Sequence, residues 1–443
     1  MRAIAPAARA GLLRFVTAGS VDDGKSTLIG RLLFDSKGLQ ADQITALEAA
    51  SRRRGLTEVD LSLLTDGLLA EREQGITIDV AYRYFATPAR KFIIGDSPGH
   101  AQYTRNMVTA ASTADVAVLL VDARQGLQPQ TRRHAYLARW VGIPRMVLAV
   151  NKMDLVVDAR EAFERIRAQF HRFATGLGFA EVHEIPVSAL RGDMVVSRGE
   201  ALGWYDGLTL LEYLETAPTR HDDLARSRPG GQSRPLRFPV QRVVRVAGGN
   251  AQPDSGFEYG EFRGYQGTIA SGEAALGDEI VALPAGTRAR IAQILTADGE
   301  LAHASADMAV TLRLDTQIDV SRGDLFAAPE TAPEATQDID AEVCWFDAEP
   351  LVASRPYLIK QGCATVRARF ASLAHRIDVD SLRLVDGPDT LHMNDIAHVQ
   401  LRTQRPLAVD PYESNRVTGA FIVIDEATNR TVAAGTVGRG AQG

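Results

Sequence analysis

The ten residues GSVDDGKSTL, 19–28, place glycines at 19 and 24 ahead of Lys25 and Ser26. This is the spacing of a phosphate-binding loop, in which backbone N–H groups turn inward at a helix N-terminus and the glycines permit the tight path. Lys25 is expected to reach the β- and γ-phosphates, the Ser26 hydroxyl to bind Mg²⁺, and Thr27 to sit close to the α-phosphate. Gly19, Ser20, Val21, Asp22, Asp23 and Gly24 make up the cradle. Two of these are acids, in a loop that should meet a highly negative ligand. The side chain of Asp22 is expected to point away from the phosphates, and Asp23 to be a solvated loop residue.

Three more constellations follow in order. NKMD, 151–154, brings Asp154, whose two carboxylate oxygens can accept from the ring N–H and exocyclic amine of guanine. Adenine offers no such pair of donors, so this carboxylate selects GTP over ATP. Asn151 can bond the base and nearby loops, the Lys152 stem can cover the ring, and Met153 lies between them. VSAL, 187–190, supplies Ser188, Ala189 and Leu190, whose backbone N–H groups can meet guanine O6. DSPGH, 96–100, puts Asp96 at a strand end to hold Mg²⁺ through water. Ser97 and Pro98 then lead to Gly99, whose N–H can approach a γ-phosphate. In GITID, 75–79, Thr77 has a hydroxyl and a carbonyl suited to an Mg²⁺ contact that depends on the γ-phosphate. The predicted ligands are GTP and Mg²⁺, with Ser26, Thr77 and Asp96 around the metal.

These residues need a parallel sheet to converge. RFVTA (14–18) is an apolar run before the loop, and STLIGRLLF (26–34) follows with helical spacing. KFIIGD (91–96), VAVLLVD (116–122) and RMVLAVNK (145–152) each end in a polar or charged residue and precede a helix-like stretch. Val-, Ile- and Leu-rich runs alternating with helices predict a doubly wound, mostly parallel α/β sheet, with ligands at the strand C-termini. The pattern changes after residue 218. APTRHDDLARSRPGGQSRP (217–235) reads as a linker, and PETAPEATQD (329–338) as a second. Short strand-like runs with turns fill the rest. The expected organisation is a phosphate-loop domain over 1–218 and antiparallel β-barrels over 235–328 and 338–443.

The 443 residues, 45% hydrophobic and 23% charged, suit a soluble chain of two or three domains. No apolar run approaches the roughly 20 residues that span a bilayer. The weakly apolar start MRAIAPAARAGLLRFVTAGS runs into the phosphate loop, where signal cleavage would endanger the first strand, so a cytoplasmic protein is expected. Cys344 and Cys363 show no metal-binding spacing. Charge is unevenly divided. Residues 235–443 carry 18 Arg and one Lys, Lys360, against 28 Asp and Glu, a net of −9. Residues 1–234 hold the remaining 30 basic and 27 acidic residues, a net of +3. Acidic barrels argue against a nucleic-acid partner, because phosphate contacts need Lys and Arg.

Together the motifs resemble a translational-type GTPase over essentially the whole chain. Most similar is the GTPase (large) subunit of bacterial sulfate adenylyltransferase, through GSVDDGKSTLIGRLL, LLTDGLLAEREQGITIDVAYRYF, FIIGDSPGHAQYTRNM, QTRRHAYLARWVGI, NKMDL and the later FRGYQGTIASGEAALGDEI. Ser97, usually Thr, and Ala101, often Glu, depart from the pattern. Asp23 stands where translation factors commonly carry His. The resemblance implies that His100 orients the attacking water, with Val21 and Ile76 as an apolar gate beside it; His100, Thr77 and Lys25 form the expected catalytic set. It also implies a partner, a small catalytic subunit of the ATP-pyrophosphatase type that makes adenosine 5′-phosphosulfate and pyrophosphate from ATP and sulfate. GTP hydrolysis on this chain would drive that uphill reaction, with no membrane or nucleic acid involved. Two other readings fit the motifs less well: a factor delivering aminoacyl-tRNA, and a GTP-dependent scaffold lacking catalysis.

Overall fold

The structure, a computed structural model, describes residues 11–36, 45, 47, 51–52, 59, 61–64, 79–220, 222–223, 234–246 and 262–438. Thr77 and Ile76 lie outside the described residues. Contacts divide the chain into Met1–Arg228 with Val379–Leu382, and Pro229–Asp378 with Arg383–Gly443.

The first unit holds strands β1 (Leu12–Ala18), β2 (Ala81–Ala86), β3 (Lys91–Asp96), β4 (Val116–Asp122), β5 (Arg145–Asn151) and β6 (Glu181–Pro186). Its helices are α1 (Lys25–Asp35), α2 (Thr104–Thr113), α3 (Pro129–Trp140), α4 (Ala159–Thr175) and α5 (Leu210–Thr216). The strands lie in the order β2-β3-β1-β4-β5-β6. All pairs are parallel except β2 with β3. Every residue of β4 and β5 is buried, as expected of continuous apolar runs covered on both faces. β2 alternates in exposure at the edge. Register decides where the site forms. Thr17 of β1 pairs with Asp96 of β3, and Asp122 of β4 with Asn151 of β5, so these polar strand ends meet at one edge of the sheet.

The stretch 217–235 is not a free linker at its start. Arg90 Nη1 donates to the carbonyls of Leu214 and Ala217 at 3.1 and 2.5 Å. Arg145 clamps Asp223 through two bonds of 2.6 Å. Composition could not show this, because the partners are arginines distant in sequence. Residues 224–233 lie outside the described residues.

Among the described residues the second unit contains two large antiparallel systems and a two-stranded ribbon, Glu273–Ala275 with His303–Ser305. One runs Arg237–Pro239, Leu325–Ala327, Glu279–Leu283, Thr287–Thr296, Ala309–Leu314, Phe262–Thr268, Arg242–Val246. An isolated bridge between Arg237 and Ser271 joins its first strand to the chain just after Phe262–Thr268. The other is a closed six-stranded barrel. Its strands run Tyr357–Gln361, Ala420–Asp425, Thr431–Val437, Ala335–Trp345, Ile396–Ala408 and Ala364–Asp378, and the last pairs back to the first. The strand from Ala335 takes over the end of the second expected linker: Ala335 and Thr336 already pair with Ala408 and Leu407.

A buried ion pair fastens the two systems. Arg237 meets Asp410 through Nε and Nη2, both at 2.9 Å, with side chains 5% and 10% exposed. Its Nη1 donates to the Leu236 carbonyl at 2.9 Å, and Thr418 Oγ1 donates to Asp410 at 2.6 Å. Removing one member strands a desolvated charge. Asp410→Ala should therefore lower unfolding stability by about 3–5 kcal/mol in urea titration, and Arg237→Met with Asp410→Leu should recover most of it. A loss below about 1 kcal/mol in the single variant would show that the pair does not hold the two systems together.

Candidate functional site

The phosphate loop leaves the C-terminal end of β1, a central strand, and enters α1. No side chain caps α1 and no acid stands in its first turn, so its leading N–H groups are free to face an anion. Gly24, at φ 92°, is required twice over: a Cβ there would lie 2.4 Å from Asn151 Nδ2. Ser26 and Thr27, half-buried, follow in the first turn.

Asp23 corrects the expectation of a solvated acid: it is 2% exposed. Its carboxylate turns inward and accepts from the Ser20 N–H at 2.6 Å. Burial pushes this carboxyl above the ordinary range, against the Ser20 bond and the Lys25 charge. Asp22 is exposed, at φ 66°. The acids in the cradle thus serve the loop's own backbone or face solvent.

Lys25 is buried, and its Nζ donates to the carbonyls of Gly19 at 3.0 Å and Ser20 at 2.8 Å. Burial lowers its pKa, opposed by Asp96 and Asp23. Gly99 packs on this ammonium, where a Cβ would come within 2.5 Å of Nζ. Asp96, 1% exposed, ends β3 beside Thr17, whose Oγ1 is 3.5 Å from Oδ1. Ser97 Oγ donates to the Thr17 carbonyl at 2.6 Å, so this hydroxyl serves β1, and Pro98 is buried beside it. His100 is exposed; its Nδ1 accepts from the Gln102 N–H at 3.3 Å, which leaves Nε2 to carry the proton of the neutral ring. Val21 is 38% exposed.

In the base loops Asn151 is used at both ends by the protein. Nδ2 donates to the Asp23 carbonyl at 2.8 Å, and Oδ1 accepts from the Ala189 N–H at 2.9 Å. Of its two expected roles the structure displays the loop-bracing one. Asp154 Oδ1 accepts from Ser188 Oγ at 2.6 Å, and that hydroxyl accepts from the Arg191 N–H at 3.2 Å. One carboxylate oxygen is thereby oriented. Met153 is buried, and Leu190 is 57% exposed. Lys152 Nζ reaches the Asp22 carbonyl and the Asp122 carboxylate.

Three residues escaped the sequence reading. Arg31 on α1 donates to the Ala189 carbonyl at 3.2 Å and to that of Leu190. Asp122, last residue of the run VAVLLVD, lies under the base loop. His134 on α3 is 1% exposed and accepts the Gly19 N–H on Nδ1 at 3.1 Å. Its Nε2 lies 2.8 Å from Gln130 Nε2, and Gln130 Oε1 accepts from Arg133 at 3.2 Å. Burial, with the charges of Lys25 and Arg133, pushes this imidazole down to about 3. The quoted stretch QTRRHAYLARWVGI contained the signal, but nothing in it points to a loop 115 residues earlier.

Ser26 and Asp96 suit Mg²⁺: a helix-start hydroxyl and one buried carboxylate are the sparse protein ligands that this ion takes beside phosphates and water. Among the described residues no group of three His, Cys, Asp or Glu is arranged for a metal.

A doubly wound sheet with a phosphate loop on its central strand and a braced carboxylate on the neighbouring base loop defines a GTPase domain of the translation-factor class. Residues 11–219 match the elongation factor Tu GTP binding domain, and residues 338–438 the GTP-eEF1A C-terminal domain-like family. The chain is 47% identical to sulfate adenylyltransferase subunit 1 of Bacteroides fragilis, across 96% of this chain and 86% of that one. The subunit 1 of Aeromonas hydrophila is also 47% identical, over 97% and 86%. The bifunctional enzyme CysN/CysC of Mycobacterium tuberculosis is 52% identical over 96% of this chain and 67% of that protein. Among solved structures, sup35 complexed with GMPPNP is 22% identical with a TM-score of 0.41, covering 97% of this chain and 94% of that one. The chain belongs to the sulfate adenylyltransferase subunit 1 family.

The His134 bond carries a pH signature. In the unfolded chain the ring protonates near 6.5, and in the fold only near 3. A depressed folded value means that the stability is full above pH 6.5 and is lost as pH falls toward 3. His134→Gln should lower the melting temperature at pH 7.5, and the gap to the unsubstituted protein should close by pH 4.5. A gap of constant size between those pH values would show that the neutral imidazole is not what holds Gly19.

Proposed function

We propose that this chain is the GTP-hydrolysing regulatory subunit of a sulfate adenylyltransferase. GTP hydrolysis here drives a separate small subunit, of the ATP-pyrophosphatase type, to make adenosine 5′-phosphosulfate and pyrophosphate from ATP and sulfate. The observation that carries this reading is 47% identity to subunit 1 proteins over 86% of their length. The place of action is the cytoplasm, where GTP and ATP are supplied.

In this reading Gly19 through Thr27 and the α1 N-terminus hold the phosphates, and Lys25 exchanges its loop carbonyls for β- and γ-oxygens. Ser26, Thr77 and Asp96 would hold Mg²⁺, which would neutralise charge developing on the phosphates. Asp154, with Ser188 fixing one oxygen, accepts from guanine; Asn151, Lys152, Met153, Ala189 and Leu190 shape the pocket. The Gly99 N–H meets the γ-phosphate. His100, with Nδ1 engaged by Gln102, offers Nε2 to position water. Water oxygen bonds the γ-phosphorus as the bridging P–O bond breaks. The electron pair leaves on GDP, and the water's protons pass to product phosphate and solvent. Val21 and Ile76 gate His100, so hydrolysis is slow until the partner moves the loop.

Two measurements test this. Asp154→Asn should weaken GTP binding and strengthen xanthosine triphosphate binding, because the donor–acceptor match reverses; equal GTP affinity in both proteins would remove Asp154 from base recognition. Alone, the chain should hydrolyse GTP slowly and form no phosphosulfate. Adding the small subunit, ATP and sulfate should stimulate both reactions together, and His100→Ala should cut the stimulated hydrolysis by roughly 10²-fold. Stimulation by ribosomes and aminoacyl-tRNA, with no response to the small subunit, would instead favour a translation factor.

A further inference from the structure

Asp122 ends β4 with its carboxylate fully buried, and it is saturated with cations. Arg124 donates Nη2 to Oδ2 at 2.6 Å and Nε to Oδ1 at 3.1 Å, and its backbone N–H reaches Oδ1 at 2.9 Å. Lys152 Nζ lies 3.0 Å from Oδ2. Burial alone would raise this carboxyl, but the Arg124 and Lys152 bonds outweigh it and hold it at about 2. Only the carboxylate is deep; the side chains of Lys152 and Arg124 are 21% and 47% exposed. Both cationic arms therefore stand at the rim of the base loop, with Asp154 close enough to feel the charge of Arg124. Lys152 also donates to the Asp22 carbonyl of the phosphate loop. One strand-end residue is thus linked to both halves of the site: to the base motif by its carboxylate on Lys152, and to the phosphate loop through the bond from the same ammonium to the Asp22 carbonyl.

We propose that Asp122 is a positioning residue for bound guanine nucleotide, presetting Lys152 and Arg124 as a cationic rim and locking the base loop to the phosphate loop so that nucleotide leaves slowly. The inference rests on the GTPase reading above. Its physical basis is pre-organisation. A lysine or arginine stem that must be ordered when ligand arrives weakens binding, and one already fixed by a buried carboxylate does not. Local charge balance would need one cation on Asp122; two, both with heads at the rim, point to a role at the ligand. The rim faces the nucleoside and the loop start, which GDP and GTP share, so both nucleotides should be affected alike.

The test is the dissociation of a fluorescent methylanthraniloyl-GDP from the full chain, followed by stopped flow after adding excess GDP. Matched measurements use the GTP analogue. Asp122→Asn keeps the shape and removes the charge; it should accelerate release about 10- to 100-fold, by the same factor for both nucleotides. Lys152→Ala should also accelerate release, and Asp122→Asn with Lys152→Ala should be no more than about twofold faster than the faster single variant, since both act through one contact. A residue that merely stabilises the fold would lower the melting temperature of the nucleotide-free chain and multiply with Lys152→Ala. Release within twofold of the unsubstituted protein, or full multiplication of the two effects, overturns the proposal. An unsubstituted chain that binds no guanine nucleotide overturns the GTPase reading itself, which is a separate result. If Asp122→Asn does not fold, Arg124→Ala changes only a half-exposed side chain. It should accelerate release about 3- to 10-fold, and that effect should vanish in the Lys152→Ala background; independent multiplication again overturns the proposal.

Discussion

A phosphate loop is a run of backbone that must stay paired without belonging to a helix or a ladder, and the nucleotide site depends on how that is done. Here side chains of the loop itself and of distant elements do it together. His134 on α3 takes the Gly19 N–H, Asp23 takes the Ser20 N–H, Asn151 at the end of β5 donates to the Asp23 carbonyl, and Lys25 donates to Gly19 and Ser20. Each bond requires its element in one place. The β1–β4–β5 register brings Asn151 under the loop, and the tightness of that approach is why residue 24 has no side chain.

The same closeness sets the electrostatics. Asp23 and Asp122 are both buried within reach of cations, and they respond differently. Asp23, bonded by the neutral Ser20 N–H, stays above its ordinary value because of its burial. Asp122, bonded by Arg124 and Lys152, falls to about 2. Direct charged donors outweigh desolvation where neutral donors do not. Lys25 is pulled down by burial and propped up by Asp96 and Asp23, so its ammonium is balanced between its present carbonyl partners and any anion that replaces them. His100 differs from all of these. It is exposed, and its contacts with Gln102 and Tyr103 lie within its own turn.

In the second unit the design is different. Closure pairs all six strands of the barrel and leaves no free edge, and the Arg237–Asp410 pair joins it to the neighbouring sheet. Arg237 and Asp410 carry a charged contact inside, and Asp347 and Asp425 are buried as well.

The sequence by itself determined the class of site. Gly19, Gly24, Lys25, Ser26, Asp96, Asn151 and Asp154 were legible because each sits at a fixed spacing within a short local motif, next to a strand whose apolar run is equally local. The strands β3 and β4 begin and end where their apolar runs do. Tertiary structure decided which partners those residues have. It turned Asp23 inward, gave Asn151 to two loops, fixed Asp154 with Ser188, brought His134 to Gly19, and fastened Ala217 and Asp223 to Arg90 and Arg145. These contacts join residues 3 to 128 positions apart, and most cross the sheet. A motif records what a loop must offer its ligand. What the loop's own polar groups bond to is set by strand register and helix packing, which place distant side chains within 3 Å of one another without any trace in local spacing.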